Sequence, residues 1–270
     1  MKVGIVQMDS EFGQVEKNID RALAAMEPHR ADLWVLPELF NTGYQFISKK
    51  EARVLAEPVP GGPTTQALIA AAKRWKTTLC AGIAERSGSG IFNASILVGP
   101  KGLIGSYRKI HLFYEEKRWF TPGNLHFKTE NVPYKNSDGS RRSARVGMMI
   151  CFDWIFPESA RTLALLGADM ICHPSNLVLP HCPDAMVTRC LENRVFAITT
   201  NRVGSEKRGN ETLTYIGKSQ VVSPRGEILF RAPEKKETAQ VIEIDPTFAR
   251  DKRLNRYNHL VRDQRKRFYR

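Results

Sequence analysis

The sequence predicts an α/β fold in one domain, built from sheets that carry helices on one face and a second sheet on the other. Three observations point there. Strand-like and helix-like segments alternate along the chain. The strands beside helices are almost continuously apolar, as strands covered on both faces must be. Two Pro-x-Gly joints, Pro100-Lys101-Gly102 and Pro224-Arg225-Gly226, lie between strand candidates as hairpin signals. The paired joints hint at related halves, although the sequence itself carries no convincing repeat.

In order, KVGIVQM (2–8) reads as a strand. VEKNIDRALAAMEPH (15–29) places apolar residues at helical spacing, and ADLWVLPE (31–38) is a second strand. PTTQALIAAAKRW (63–75) is a helix opened by a proline, which suits a first turn. Strands 77–85, 92–100 and 102–109 follow, the last two joined by the first Pro-x-Gly. The polar stretch 131–144 reads as an exposed loop or hairpin tip. Val146–Ile150 is then a buried strand ending at Cys151, and Pro157 opens a helix over 157–166, with Glu158 favourable near its N-terminus. Strand 168–175, helix 184–196 and strands 197–204, 217–224, 227–232 and 239–245 close the core.

The composition, 42% hydrophobic and 26% charged over 270 residues, is that of an ordinary globular chain. No apolar run approaches the roughly 18–20 residues of a membrane span. The N-terminus lacks the apolar core of a signal peptide. Five cysteines without a CxxC pair are then most simply reduced thiols in a cytoplasm. The net charge of +13 raises a nucleic-acid reading. Yet nine Lys/Arg against two Asp put +7 of it in residues 250–270. That tail, with Tyr257, Phe268 and Tyr269, reads as an arm packed on the body or across a subunit interface; phosphate gripping is its rival.

Three strand ends present polar residues where an apolar run stops: Glu38, Lys109 and Cys151. Alone, each has a plain alternative: a cap or salt-bridge partner, a solvated charge beside Arg108, and a core thiol. All at C-terminal strand ends, the three could converge on one rim of a sheet, and with their flanking residues they are specific. A thiol with pKa near 8.5 is mostly protonated at neutral pH and needs a base to attack a carbonyl. Glu38 can take that proton and hand it to the leaving amine. Lys109 and the N–H of Phe152 can hold the oxyanion. A thioester at Cys151 results, and water activated by Glu38 releases the acid.

The segments LPELFNTGY, YRKIHLF and MMICFDWIFPE, in that order and spacing, resemble the glutamate, lysine and cysteine segments of the nitrilase superfamily, the carbon–nitrogen hydrolases. The likeness runs from KVGIVQM to the last core strand. It implies a four-layer α-β-β-α sandwich over residues 1–246 and a basic C-terminal arm over 247–270. It also implies a homodimer or higher homo-oligomer built by pairing helical layers, and a Glu38–Lys109–Cys151 triad without metal or cofactor. A second glutamate seven residues after the lysine falls on Glu116, beside Glu115, with the expected role of orienting substrate and lysine. Asn176 in HPSNLVLP matches a pocket-lining segment. Tyr44 and Trp154 are weaker pocket residues, with core packing as the alternative.

Cys172-His173 and His181-Cys182 suggest a zinc site only superficially, because their spacing fits no common zinc pattern. The Cys-Phe-Asp context departs from the Cys-Trp-Glu of the true nitrilase branch and resembles the amidase and carbamoylputrescine-amidase branches. Trp154 and Ile155 stand where carbamoyl-amino-acid hydrolases tend to place an arginine. The expected substrate is therefore a small aliphatic amide, with N-carbamoyl amines and small nitriles as alternatives. A metal-dependent phosphodiesterase or nucleic-acid binder is the rival of another class. It lacks an Asp/His-rich metal site here.

Overall fold

The computed structural model describes residues 1–136 and 138–269; Ser137, in the polar stretch, and Arg270, at the end of the arm, lie outside the described residues. The elements run β1 (Lys2–Gln7), α1 (Val15–Met26), β2 (Leu33–Val35), α2 (Lys49–Leu55), α3 (Pro63–Trp75), β3 (Thr78–Ser87), β4 (Gly90–Gly99), β5 (Gly102–Arg108) and α4 (Glu116–Trp119). They continue β6 (Thr129–Lys135), β7 (Arg141–Met148), α5 (Pro157–Leu165), β8 (Met170–Pro174), α6 (Cys182–Asn193), β9 (Phe196–Thr200), β10 (Ser205–Arg208), β11 (Glu211–Thr214), β12 (Gln220–Val222), β13 (Ile228–Arg231) and β14 (Thr238–Glu243).

Two six-stranded sheets result, ordered β14-β1-β2-β3-β4-β5 and β13-β12-β9-β8-β7-β6. Each has the same plan. An antiparallel edge strand (β14 or β6) is followed by three parallel strands (β1-β2-β3 or β7-β8-β9) and an antiparallel hairpin (β4-β5 or β12-β13). The two Pro-x-Gly joints turn those two hairpins, so the hint of related halves corresponds to real topology.

The period of two in the strands separates the layers. Trp34, Leu79 and Ile96 pack outward with Ile19, Ala22 and Met26 of α1 and Leu68 of α3. Leu33, Val35, Cys80 and Leu97 point inward and join Met148, Cys172 and Ile198 of the second sheet. The opposite face of that sheet is covered by α5 and α6 through residues such as Leu163 and Met186. The order α-β-β-α is the predicted sandwich. Pro63 and Pro157 stand at the first turn of α3 and α5, as their fixed φ favours.

Three departures from the sequence reading have local causes. The polar stretch 131–144, expected as an exposed loop or hairpin tip, carries strand residues of the β6–β7 pair: Val132, Tyr134, Ala144 and Val146 are buried while Pro133, Arg141, Arg142 and Arg145 face solvent. A charged, half-apolar edge pair is how sheets discourage further pairing, and it hides the strand signal. The hairpin β10–β11, turned by Gly209-Asn210, falls where the pattern predicts nothing. So does α2, capped by the Ser48 hydroxyl accepting from Glu51 N (3.1 Å).

Candidate active site

Functional side chains gather where strands end. Glu38 lies just past β2, Lys109 just past β5, Cys151 just past β7 and Asn176 just past β8. Gly82 of β3 lets the Glu38 turn come close: a Cβ there would lie 2.4 Å from Glu38 Cα. Lys109, wholly buried, donates from Nζ to Glu38 Oε1 (2.7 Å) and Glu116 Oε1 (2.7 Å). Asn93 Nδ2 donates to the same Glu38 oxygen (2.7 Å), and Tyr44 Oη to the same Glu116 oxygen (2.6 Å). Phe113 N donates to Glu116 Oε2 (3.2 Å). Among the described residues, Glu38 Oε2 is buried without a partner.

Cys151 opens a 3-10 turn, Cys151–Ile155, with its own φ at +40°. That left-handed backbone is uncommon for a non-glycine residue and costs on the order of 1–3 kcal/mol. Several groups hold it. His173 Nε2 donates to the Cys151 carbonyl (2.9 Å), and the Thr199 hydroxyl serves its Nδ1 (3.0 Å). The carbonyl can only accept, which fixes this tautomer. Asp153 Oδ2 accepts from Ile150 N (2.9 Å) and Tyr107 Oη (2.8 Å), and Oδ1 pairs with His111 Nδ1 (2.7 Å).

Burial dominates the electrostatics. It pushes the Glu38 carboxyl up to about 7, Lys109 opposing and Glu116 reinforcing the rise. Burial and the Glu38 charge push the Cys151 thiol well above its ordinary range, against the pull of Lys109. Lys109 is desolvated, yet Glu116 and Glu38 outweigh that and hold it above an ordinary lysine. Burial lowers His173 to about 4, so it is neutral. At neutral pH the site holds a thiol, an ammonium and a base poised near half-ionisation.

A profile described as Carbon-nitrogen hydrolase matches residues 2–253. The chain belongs to the carbon–nitrogen hydrolase family. Among its curated relatives, a nitrilase of Pyrococcus abyssi is 45% identical and covers 100% of this chain and 99% of its own. An (R)-stereoselective amidase of a Pseudomonas species is 34% identical over 91% of this chain and 85% of its own. The carbon–nitrogen hydrolase of Helicobacter pylori G27 superposes with a TM-score of 0.84 at 26% identity, covering 100% of this chain and 97% of its own.

Within this hydrolase, a cavity of ≈ 80 Å³ opens beside Cys151, walled by Phe113, Phe152, Trp154, Ile155 and Leu179 with His181 at its rim. None of its lining residues carries a fixed charge. Phe152 is braced by Phe113 (ring centroids 5.0 Å) and Phe156 (5.7 Å). Its backbone N–H lies in the first turn of the 3-10 segment, where N–H groups have no intrahelical acceptor. Asn176 lines the same cavity and donates from Nδ2 to the Glu38 carbonyl (2.8 Å), so it ties the two sheets together at the site. Glu115, by contrast, turns outward to Arg118.

Sequence reasoning missed Asn93, Tyr107, Asp153 and His173 as members of the site. A signal existed for Asn93, a polar residue inside the apolar run of β4. The residues of the superficial zinc pattern part company: Cys172 packs between the sheets against Cys80, His173 braces Cys151, His181 stands at the cavity rim and Cys182 is buried at the start of α6. Among the described residues no group of three His, Cys, Asp or Glu is placed to hold a metal.

Proposed function

We propose that this enzyme hydrolyses small aliphatic primary amides through a Cys151 thioester. One observation carries the assignment: Lys109 and Asn93 fill Glu38 Oε1 and leave Oε2 buried and free, on a carboxylate whose charge is felt by a thiol protonated at rest. Glu38 Oε2 takes the thiol proton as sulfur attacks the amide carbon, forming the C–S bond and moving the C=O electrons onto oxygen. Lys109 Nζ and the Phe152 N–H stabilise that oxyanion. As C=O re-forms, the C–N bond breaks, and the proton on Glu38 goes to the departing nitrogen, giving ammonia. Water then gives a proton to Glu38 and attacks the thioester. Collapse returns the proton to sulfur and frees the acid. Glu116, held by Tyr44 and Phe113 N, fixes the Lys109 head and completes its charge balance.

The uncharged cavity wall supports an apolar acyl group and disfavours a carboxylate. Arg189, which reaches the Trp154 carbonyl (3.3 Å), is also paired with Glu192 (3.1 Å). A nitrile is the second reading, favoured by the name of the 45%-identical relative. The test combines a variant and a panel. Cys151→Ala should abolish ammonia release while Cys190→Ala keeps it; turnover by Cys151→Ala would sink the mechanism. In the panel of short amides, carbamoylputrescine, carbamoyl-β-alanine and a small dinitrile, the amides should lead in kcat/KM. A tenfold lead by the dinitrile would establish the nitrile reading, and a lead by carbamoylputrescine an N-carbamoyl amine hydrolase.

A further inference from the structure

Glu116 and Lys109 are held from one side by Tyr44, and what holds Tyr44 is a second buried charge cluster outside the site. Arg202, 1% exposed, follows β9. Its Nη1 donates to Glu206 Oε1 (2.7 Å), its Nη2 to Asp9 Oδ1 (2.7 Å) and Ser10 O (2.7 Å), and its Cζ lies 4.1 Å from the Tyr215 ring centroid. Glu206, on β10, spends both oxygens. Tyr44 N approaches Oε1 and Oε2 (3.2 Å each), and Gln45 N (2.8 Å) and Tyr215 Oη (3.0 Å) donate to Oε2. Gly43 is what lets the carboxylate approach the Tyr44 backbone: φ is +80° there, and a Cβ would lie 2.6 Å from Glu206 Oε1. Gln45 in turn bonds the hairpin backbone at Arg208 N (3.1 Å), Arg208 O (2.9 Å) and Glu211 O (3.0 Å).

A continuous chain of short contacts thus runs from Arg202 through Glu206 to the Tyr44 backbone, and from the Tyr44 hydroxyl through Glu116 to Lys109. We infer that Glu206 is a positioning residue for the Glu116–Lys109 pair, acting through Tyr44, and that the β10–β11 hairpin exists to carry it there. Buried charge favours this role. A carboxylate with four protein donors has no slack, so it fixes the Tyr44 backbone more firmly than apolar packing would. The hydroxyl of Tyr44 sits at the far end of a two-torsion side chain, so a small backbone shift at residue 44 moves it off Glu116. Misplacements of about 1 Å near reacting groups cost roughly 10- to 100-fold in rate.

The inference rests on the catalytic reading of Lys109 and Glu116, and its test separates the two. Glu206→Gln keeps shape and removes the charge; Tyr215→Phe removes one donor and leaves the Arg202 pair intact. Both are assayed well below their melting temperatures, beside Tyr44→Phe and the double variant Glu206→Gln/Tyr44→Phe. The expected result is a fall of about tenfold in kcat for Glu206→Gln with KM within twofold, and a smaller fall for Tyr215→Phe. The double variant should be little worse than Tyr44→Phe alone, because the strut has nothing left to position. Unchanged kcat in both single variants, or losses that multiply in the double variant, would overturn it. If Cys151→Ala is dead and Glu206→Gln is unimpaired, only this inference falls. If Cys151→Ala is active, the catalytic reading falls first.

Discussion

Two regions meet at the Cys151 thiol and are built on opposite terms. On the Lys109 side, Glu38 and Glu116 are buried, the Oε1 of each shared between Lys109 and a neutral donor, Asn93 for Glu38 and Tyr44 for Glu116. On the side of α5 and α6, the wall is Phe152, Trp154, Ile155 and Leu179 with no fixed charge. Buried charges demand fixed partners, since an unpaired one costs several kcal/mol, so that side tolerates almost no change. Apolar walls discriminate weakly, about 1–3 kcal/mol per methylene, and drift freely. On the proposed reading, the reaction class is therefore written in the charged half and the substrate in the apolar half. This is why residues alone announce a hydrolase far more firmly than they announce what it cleaves.

The comparison breaks first if charge is not what matters in the charged half. Glu116→Gln leaves the shape and removes a carboxylate that both Lys109 and Tyr44 use. Orienting roles of this kind are typically worth about 10²–10⁴-fold, and that is the expected loss in kcat/KM. Glu115→Gln, one residue away and paired with Arg118 in solvent, should lose less than about twofold. Equal, small losses at both positions would mean that the motif has been carried onto the wrong glutamate.

A pH profile sharpens the same point. Burial raises the folded pKa of Glu38 to about 7, and the proposed mechanism needs the ionised form. Activity should therefore be full above about pH 7 and fall about tenfold per unit as pH drops below it. Lys109 and Cys151 are both raised, so neither should impose a loss just above neutrality. A profile of kcat/KM that is flat from pH 5 to 8 would remove Glu38 as the base.

How much of this was legible follows the same division. Glu38, Lys109 and Cys151 stand out because each follows the end of a strand-like run, a pattern that sequence carries directly. Glu116 required the resemblance, since nothing local separates it from Glu115. His173 and Asp153 were invisible as braces because they act on backbone groups whose positions only the fold supplies. That the sheets are covered on both faces was legible because strands such as Leu33–Val35 are apolar throughout; the four-layer order itself came with the resemblance. The β10–β11 hairpin left none: Ser205, Lys207, Glu211 and Thr212 are surface residues, and its purpose lies in the single buried Glu206.

The smallest effect lies at the other end of the second sheet and shows how far the charged half extends. Arg250, in the segment 247–270 expected to form an arm, donates to both oxygens of Asp169 (3.0 Å each) and to the Ser143 carbonyl (2.8 Å). Asp169 precedes β8, so this pair sits at the N-terminal ends of the strands, whereas Cys151 and Asn176 follow their C-terminal ends. Asp169 is buried but its partner side chain is 51% exposed, and solvent screens the pair. Asp169 also keeps a bond from Arg145 N (2.9 Å), so losing the guanidinium does not strand it. Arg250→Ala should therefore cost about 1 kcal/mol, a fall in Tm of roughly 2–4 °C, with kcat unchanged. Thermal melts and steady-state rates on the same preparation decide it. Lost activity at an unchanged Tm would show that the arm acts on the site itself, and the separation drawn between the two strand ends would have to be given up.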